Sequence, residues 1–382
     1  MPDIYFDNAA TSRVFPEVRE IMDQLLEIEY GNPSSMHRKG FEAEQYLKHA
    51  RECIARTLKV DPKEIFFTSG GTEANNLALI GTAYANRRRG KHIITSCIEH
   101  ASVYNTLSFL EDEGFEVTYL PVDERGILDL DALKEALRPD TILVSVMAVN
   151  NEIGAVEPVE EIGKIIKDYD PKILFHTDCI QAYGKLTLRP RRMKADMISV
   201  SGHKIHGPKG IGFLYIKNGT KIKPIIWGGN QQSGIRSGTE NMPGIAGLGR
   251  AAELIYQDHE DKIRKILELK EHFIGRVMDE IEDVRDHSGQ APHIASITFL
   301  GVRSEVLLHA LVDKGIYVSA GSACSSNKPE VSGTLRGIGL GKDQYDSTLR
   351  FSFSVYNTIE EADICVDCLK ELLPVLRRFQ RR

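Results

Sequence analysis

Three stretches of this 382-residue sequence combine residue types suited to chemistry. The first is Ser69-Gly70-Gly71-Thr72-Glu73-Ala74-Asn75-Asn76, directly after an apolar run at 65–68. Two glycines permit close backbone approach, and Thr72 can cap a helix that follows. A helix start offers unpaired N–H groups and a positive dipole end, which together suit a phosphate. An ordinary strand-to-helix turn has the same composition. The chain contains no Gly-x-x-x-x-Gly-Lys-[Ser/Thr] loop, and this turn is not Gly-x-Gly-x-x-Gly. The second stretch is Thr177-Asp178 with Gln181, after an apolar run at 173–176. A carboxylate at a buried strand end is costly unless a cation or protonated base meets it; otherwise Asp178 is a helix cap. The third is Ser201-Gly202-His203-Lys204-Ile205-His206-Gly207. A lysine desolvated at a strand end has a lowered pKa and becomes a nucleophile towards carbonyls, whereas a loop lysine in water does not.

Taken together, a phosphate cradle, an acid and an amine are what pyridoxal phosphate requires: an anchor for its phosphate, a carboxylate for its pyridine nitrogen and an amine for its Schiff base. A metal reading through His176, Asp178, His203 and His206 competes. It leaves Lys204 and the Gly-Gly-Thr turn unexplained.

These residues must be held by elements. Short runs at 65–68, 92–95, 117–120, 141–149, 172–176, 197–200 and 212–216 are of strand length, β-branched or aromatic, and lack polar alternation. Strands covered on both faces have that composition. Segments 72–86, 102–113, 129–137 and 158–168 have helical length and period. The alternation predicts an α/β fold with a mostly parallel sheet between helices, and ligands bind beyond the carboxyl ends of such strands. After about residue 251 the texture changes. One long amphipathic helix is expected over 251–281, strands over 294–299 and 348–353, and helices over 304–314 and 359–379. This predicts a large domain over 15–255 and a smaller α+β domain built from 1–14 and 256–382.

Hydrophobic residues make up 42% and charged residues 27%, as in an ordinary globular protein. A net charge of −6 gives no general attraction to nucleic acid or anionic lipid. The start, Met1-Pro2-Asp3-Ile4-Tyr5, has no basic region followed by an apolar one, so no secretory leader is expected. No apolar run approaches the ~20 residues of a membrane helix. The six cysteines are too scattered for a disulfide framework, and a reduced, cytoplasmic setting is expected. Cys365-x-x-Cys368 lies in a helix-like stretch without a second ligand pair.

With Asp7-Asn8-Ala9-Ala10-Thr11, Val149-Asn150-Asn151-Glu152-Ile153-Gly154, Asp178-x-x-Gln181-Ala182 and Arg236-Ser237-Gly238-Thr239 added to these motifs, the sequence resembles the class V aminotransferase-fold cysteine desulfurases. Ser319-Ala320-Gly321-Ser322-Ala323-Cys324-Ser325-Ser326 resembles the signature of the NifS/IscS-type branch. The resemblance covers nearly the whole chain, in order. It departs from the family pattern at Asn230, where a third glycine is usual, and at Gln232, Ser233, Ser354 and Asn357.

The resemblance implies a fold type I, aminotransferase-like large domain with a seven-stranded sheet, and a pyridoxal phosphate enzyme that converts L-cysteine to L-alanine. It implies that Lys204 carries the cofactor, Asp178 pairs with its pyridinium, Gln181 bonds its ring hydroxyl, and His100 stacks on the ring and moves protons. Gly71, Thr72, Ser201 and His203 would hold the phosphate, with Thr239 reaching in from a second subunit of a homodimer. Asn151 and Arg350 would hold the substrate carboxylate, Asn151 also lying against the cofactor, and Cys324 would take the sulfur as a persulfide. No metal is implied. Eleven residues separate Cys324 from Arg336, a spacing similar to the long-loop group that serves iron–sulfur assembly and tRNA thiolation. A sulfur-acceptor protein is therefore the expected partner, with no membrane or direct nucleic-acid partner. The alternatives are a relative acting on selenocysteine or cysteine sulfinate, and a scaffold protein on this fold without the cofactor.

Overall fold

The computed structural model describes residues 3–320 and 332–380, so Cys324 lies outside the described residues. After β1 (Ile4–Tyr5), seven strands form the main sheet: β2 (Ile65–Thr68), β3 (His92–Ser96), β4 (Glu116–Leu120), β5 (Thr141–Ser145), β6 (Leu174–Asp178), β7 (Met197–Ser201) and β8 (Gly212–Ile216). Their order is β2-β8-β7-β6-β5-β3-β4. Only β8 runs against the others, pairing antiparallel with β2 and β7. Strands β3, β5, β7 and β8 are buried at every residue, as their lack of polar alternation predicts, whereas the edge strand β4 is only partly buried. The carboxyl ends of β2, β3, β5, β6 and β7 therefore share one edge of the sheet.

Two expected elements differ. The run at 141–149 ends as a strand at Ser145, because its neighbour β3 stops at Ser96. Beyond that point the Val146 and Ala148 N–H groups still donate to the carbonyls of His176 and Asp178, while the Met147 N–H donates to the Glu99 carboxyl at 2.9 Å. The predicted single helix over 251–281 is two, Met242–Tyr256 and His259–Glu280. Asp258 stands between them in the left-handed region at φ 50°, and Lys262 Nζ bonds the Leu254 carbonyl at 2.7 Å. The break separates two burial environments. Ile245, Leu248 and Ile255 pack in the core against the main sheet, whereas Ile266, Leu269, Phe273 and Val277 pack in a second core.

That second core lies on the sheet β12-β13-β10-β9, formed by β9 (Val284–Asp286), β10 (Ile294–Phe299), β12 (Ser319–Ala320) and β13 (Thr348–Ser352). The helix Ile359–Gln380 packs on the helix His259–Glu280 beside it. The N-terminus joins here: β1 pairs in parallel with β11 (Ile316–Tyr317), and Phe6 packs edge-on to Phe353 with centroids 5.0 Å apart. Among the described residues no helix is long and apolar enough to cross a membrane.

Candidate active site

At the shared strand edge lies a cavity of about 330 Å³, lined by Ala9, Ala10, Gly71, Thr72, His100, Ser102, Met147, Val149, Asn151, Asp178, Ile180, Gln181, Ser201, His203, Lys204 and Arg350. Of the residues that the resemblance implies for the site, every described one is on this wall except Thr239; the metal candidates His176 and His206 are not on it, and Cys324 lies outside the described residues. Thr239 is exposed on its own chain and does not line the cavity.

Each contributor arrives on a different element. The helix Gly71–Asn86 starts directly on Gly71, with Gly70 as its N-cap at φ 152°, so Thr72 lies inside the helix and does not cap it as its position in the sequence predicts. A side chain at Gly71 would put its Cβ 2.2 Å from Ile180 Cδ1, so any larger residue here would force Ile180, another wall residue, to shift. Glu73 in the first turn accepts from the Ser69 N–H at 3.0 Å and pairs with Arg236 at 2.8 Å.

Asp178, the last residue of β6, is buried. Asn75 Nδ2 donates to its Oδ2 at 2.7 Å and the Ile180 N–H to its Oδ1 at 2.9 Å. Burial pushes its carboxyl above the ordinary value, against the opposing pull of His100 and Lys204. Asn75 Nδ2 also donates to Ser102 Oγ at 2.9 Å, and Ser102 Oγ is 2.8 Å from His100 Nδ1. That nitrogen also accepts from the Ser102 N–H at 3.1 Å. The backbone donor fixes Nδ1 as an acceptor, so neutral His100 carries its proton on Nε2.

Lys204 ends the short 3-10 turn that follows β7. Its Nζ donates to the carbonyls of Ala9 at 2.5 Å and Ala10 at 2.7 Å, so the N-terminal segment holds the amine. Beside it, burial and the charges of Lys204 and Lys209 push His203 down to about 4, leaving it neutral. Gln181 Nε2 donates to the Ala9 carbonyl at 2.9 Å, and its Oε1 lies 3.2 Å from Nε2 of buried His293. Arg350, on β13, is buried. Its Nη1 donates to the Asn151 carbonyl at 2.7 Å and its Nη2 to Asp7 Oδ1 at 2.9 Å, while Nε has no partner among the described residues.

The metal reading fails on His176. Both ring nitrogens are occupied inside the sheet, by Ser145 Oγ and Ser199 Oγ at 2.8 Å each, and burial lowers its pKa to about 3. His206 turns away to the Arg13 carbonyl at 2.7 Å. Cys365 is buried in its helix, where burial raises its thiol pKa. The departures from the family pattern have structural partners. Asn230, Gln232 and Ser233 all take positive φ, and Gln232 accepts from Arg51 and the Phe67 N–H. Asn357 Oδ1 accepts from the Ser354 N–H and from Asn8.

The family described as Aminotransferase class-V matches residues 4–365. The "Cysteine desulfurase IscS" of Dictyoglomus turgidum is 44% identical over 378 residues, 98% of this chain and 95% of that protein. This chain belongs to the class V aminotransferases, in the NifS/IscS-type cysteine desulfurase branch. Among solved structures, a "NIFS-LIKE PROTEIN" superposes on this desulfurase with a TM-score of 0.93 at 37% identity, covering 98% of this chain and 100% of its own. "SspA in complex with cysteine" superposes with a TM-score of 0.81 at 36% identity, covering 93% and 100%. The desulfurase site includes four residues that the motifs left out of the candidate set. Asn75 and Ser102 link Asp178 to His100, His293 meets Gln181, and Asp7 meets Arg350. Asn75 and Asp7 stand inside the motifs, and Ser102 lies two residues from His100. His293 has no local signal.

Proposed function

We propose that this chain uses pyridoxal phosphate to move sulfur from free L-cysteine to Cys324, leaving L-alanine and a persulfide that an acceptor protein removes. The acceptor is of the kind that serves iron–sulfur assembly or tRNA thiolation. The observation that carries this reading is the convergence of Lys204, Asp178, His100 and Arg350 on one cavity.

The residues present suit the cofactor. A helix start and the neutral His203 on the wall would suit an anion, the buried carboxylate of Asp178 would be neutralised by a protonated ring nitrogen, and a lysine amine lies in the same wall. In this reading Lys204 would be the covalent anchor, Asp178 would keep the ring nitrogen protonated, Gln181 would bond the ring hydroxyl and His100 would stack on the ring. Gly71, Thr72, Ser201 and His203 would hold the phosphate, with Thr239 from a second copy. When bound, the cofactor supplies an electron sink for the carbon that loses its proton.

The chain's own residues do the rest. Arg350 and Asn151 hold the cysteine carboxylate, and Nε of Arg350, without a partner among the described residues, has a donor to give it. The Lys204 amine, on the same wall as Arg350, would accept the Cα proton. His100, with Nδ1 held by Ser102, exchanges protons at Nε2. The Cys324 thiolate attacks the substrate sulfur; the S–S bond forms as the C–S bond breaks, and the carbon fragment is protonated to alanine. Described residues on both sides of the Cys324 segment lie near this site. Ser319 pairs with Arg350, and Ser332 donates to Glu152, the neighbour of Asn151.

Residues 15–255 form the cofactor-binding domain in this reading, and 1–14 with 256–382 the smaller one; the two separate apolar cores support that division. Exposed Leu26, Ile28, Tyr30, Met36 and Phe41 support a homodimer. The unpaired thiols of Cys53, Cys97, Cys179, Cys365 and Cys368 support a cytoplasmic setting. Mass spectrometry after incubation with L-cysteine tests the proposal. One added sulfur atom is expected on the Cys324 peptide, and Cys324→Ala should keep the visible cofactor band while losing sulfide release. Undiminished release from Cys324→Ala would overturn it, as would a cofactor band that survives Lys204→Ala.

A further inference from the structure

On the far side of the helix pair Arg38–Leu58 and Met242–Tyr256, three unlike donors converge. His49 and Cys53 stand one turn apart on the first helix, and Glu253 faces them from the second. Cys53 Sγ is 2.9 Å from Glu253 Oε1 and 3.4 Å from His49 Nε2, and His49 Nε2 is 3.2 Å from Glu253 Oε1. Among the described residues this is the one group of three such side chains whose ligand atoms all meet.

The closeness has a cause one turn away. Gly249 packs on Ala50, where an added Cβ would lie 2.6 Å from Ala50 Cα, so the helices approach more closely than side chains normally permit. At that separation Glu253, four residues after Gly249, reaches the Cys53 sulfur across the groove. Arg250 Nη1 holds the other carboxylate oxygen at 3.1 Å, which fixes the orientation of Oε1.

We infer that His49, Cys53 and Glu253 form a divalent metal site of the zinc class. A tetrahedral Zn²⁺ with ordinary Zn–N, Zn–O and Zn–S lengths holds its ligand atoms about 3.3–3.6 Å apart. The triangle here is tighter, by roughly half an ångström between Cys53 and Glu253 and by less on the other two edges, so it opens around the ion through side-chain torsions. One imidazole, one thiolate and one carboxylate form a borderline-soft set that suits Zn²⁺ over Mg²⁺ or Ca²⁺. Three protein ligands leave a fourth position for water. Cys53 is buried and His49 is exposed, so the ion enters past the imidazole.

Binding is a ligand exchange without redox change. The Cys53 S–H bond breaks as the S–metal bond forms, and the proton goes to solvent. The loaded site ties the helix that carries Arg51, a partner of Gln232, to the helix that follows the 227–241 segment. It is a clamp on this part of the large domain, separate from the cavity around Lys204.

Co²⁺ is the probe, because a thiolate ligand gives it a charge-transfer band. Full-length holoenzyme, stripped with a chelator and desalted, is titrated with Co²⁺ alone. One equivalent with a thiolate band is expected in the wild type and equally in Cys324→Ser. His49→Ala and Cys53→Ser should each weaken that binding by at least about tenfold. Zn²⁺ should raise the thermal midpoint of the wild type and not that of His49→Ala. The exposed His49→Ala keeps the test open should Cys53→Ser misfold. Unchanged binding in His49→Ala, or loss of the band only in Cys324→Ser, would overturn the inference.

Discussion

Arg350 Nη2 lies 2.9 Å from Asp7 Oδ1, an ion pair between the seventh residue of the chain and a strand near its end. Asp7 orients the guanidinium and also competes for its charge. A charge-assisted hydrogen bond to a buried partner contributes about 1.5–3 kcal/mol, roughly 10–100-fold in binding. Arg350→Ala should therefore raise KM for L-cysteine by about that factor, and Arg350→Lys should not restore it, because the lysine lacks the planar fork. Asp7→Asn keeps an acceptor and removes the competing charge, so its KM should stay within about threefold of wild type. Asp7→Ala loses the orientation and should raise KM about tenfold. Steady-state kinetics of the four variants checks this.

Asn75 bonds both Asp178 and Ser102 through one amide nitrogen. Asn75→Ala removes a donor from a buried carboxylate and loosens the Ser102 contact with His100. Cofactor retention should fall by roughly 10–100-fold, read by titrating the stripped protein with pyridoxal phosphate. Ser102→Ala keeps the Asn75–Asp178 bond, so retention should fall less than in Asn75→Ala, while the pH profile of kcat should change because His100 Nδ1 loses its hydroxyl partner.

His293 is buried, burial and the neighbouring lysines hold its pKa well below the ordinary value, and its Nε2 faces Gln181 Oε1. A neutral ring donating there keeps the Gln181 amide nitrogen turned towards the cavity and the Ala9 carbonyl. His293→Leu should shift the visible band of the bound cofactor, while His293→Gln, which retains a donor, should shift it less. Absorption spectra of the two variants distinguish the outcomes.

Glu99 is buried, and its carboxyl pKa is pushed up to about 8, because burial outweighs the bonds from Ser96 and the Met147 N–H. The folded value is above the unfolded one, so its contribution is complete below the unfolded value near 4.5 and is lost as pH rises towards 8. Relative to Glu99→Gln, the wild type should lose about 1 kcal/mol per pH unit across that window. Thermal midpoints of the two proteins at several pH values should diverge accordingly. His176 has the opposite dependence. With its folded value lowered to about 3, its unfolded form gains a proton first, and stability falls as pH drops below the ordinary imidazole range.

Much of this site was legible because its chemistry sits at strand ends. Asp178 and Lys204 each follow an unbroken apolar run, and the sheet topology then brings them together without further information. His293 and the pairing of Asp7 with Arg350 were not legible, because they reach the site by packing between segments more than a hundred residues apart. The helix break at Asp258 was hidden for a different reason. Neither glycine nor proline marks it, and the amphipathic pattern runs through it while the buried face changes partner core. Thr72 misled because a threonine before an apolar period reads as a cap, whereas the flexible Gly70 takes that position.

The carbonyls of Ala9 and Ala10 hold the Lys204 amine, and Asn8 Nδ2 reaches the Ser352 carbonyl at 3.0 Å. Ser12 Oγ also donates to the His203 carbonyl at 2.8 Å, so residues 8–12 are stitched to the lysine turn after β7 on one side and to β13 on the other. Any shift of β13 against the main sheet is therefore transmitted to the carbonyls that seat the Lys204 amine.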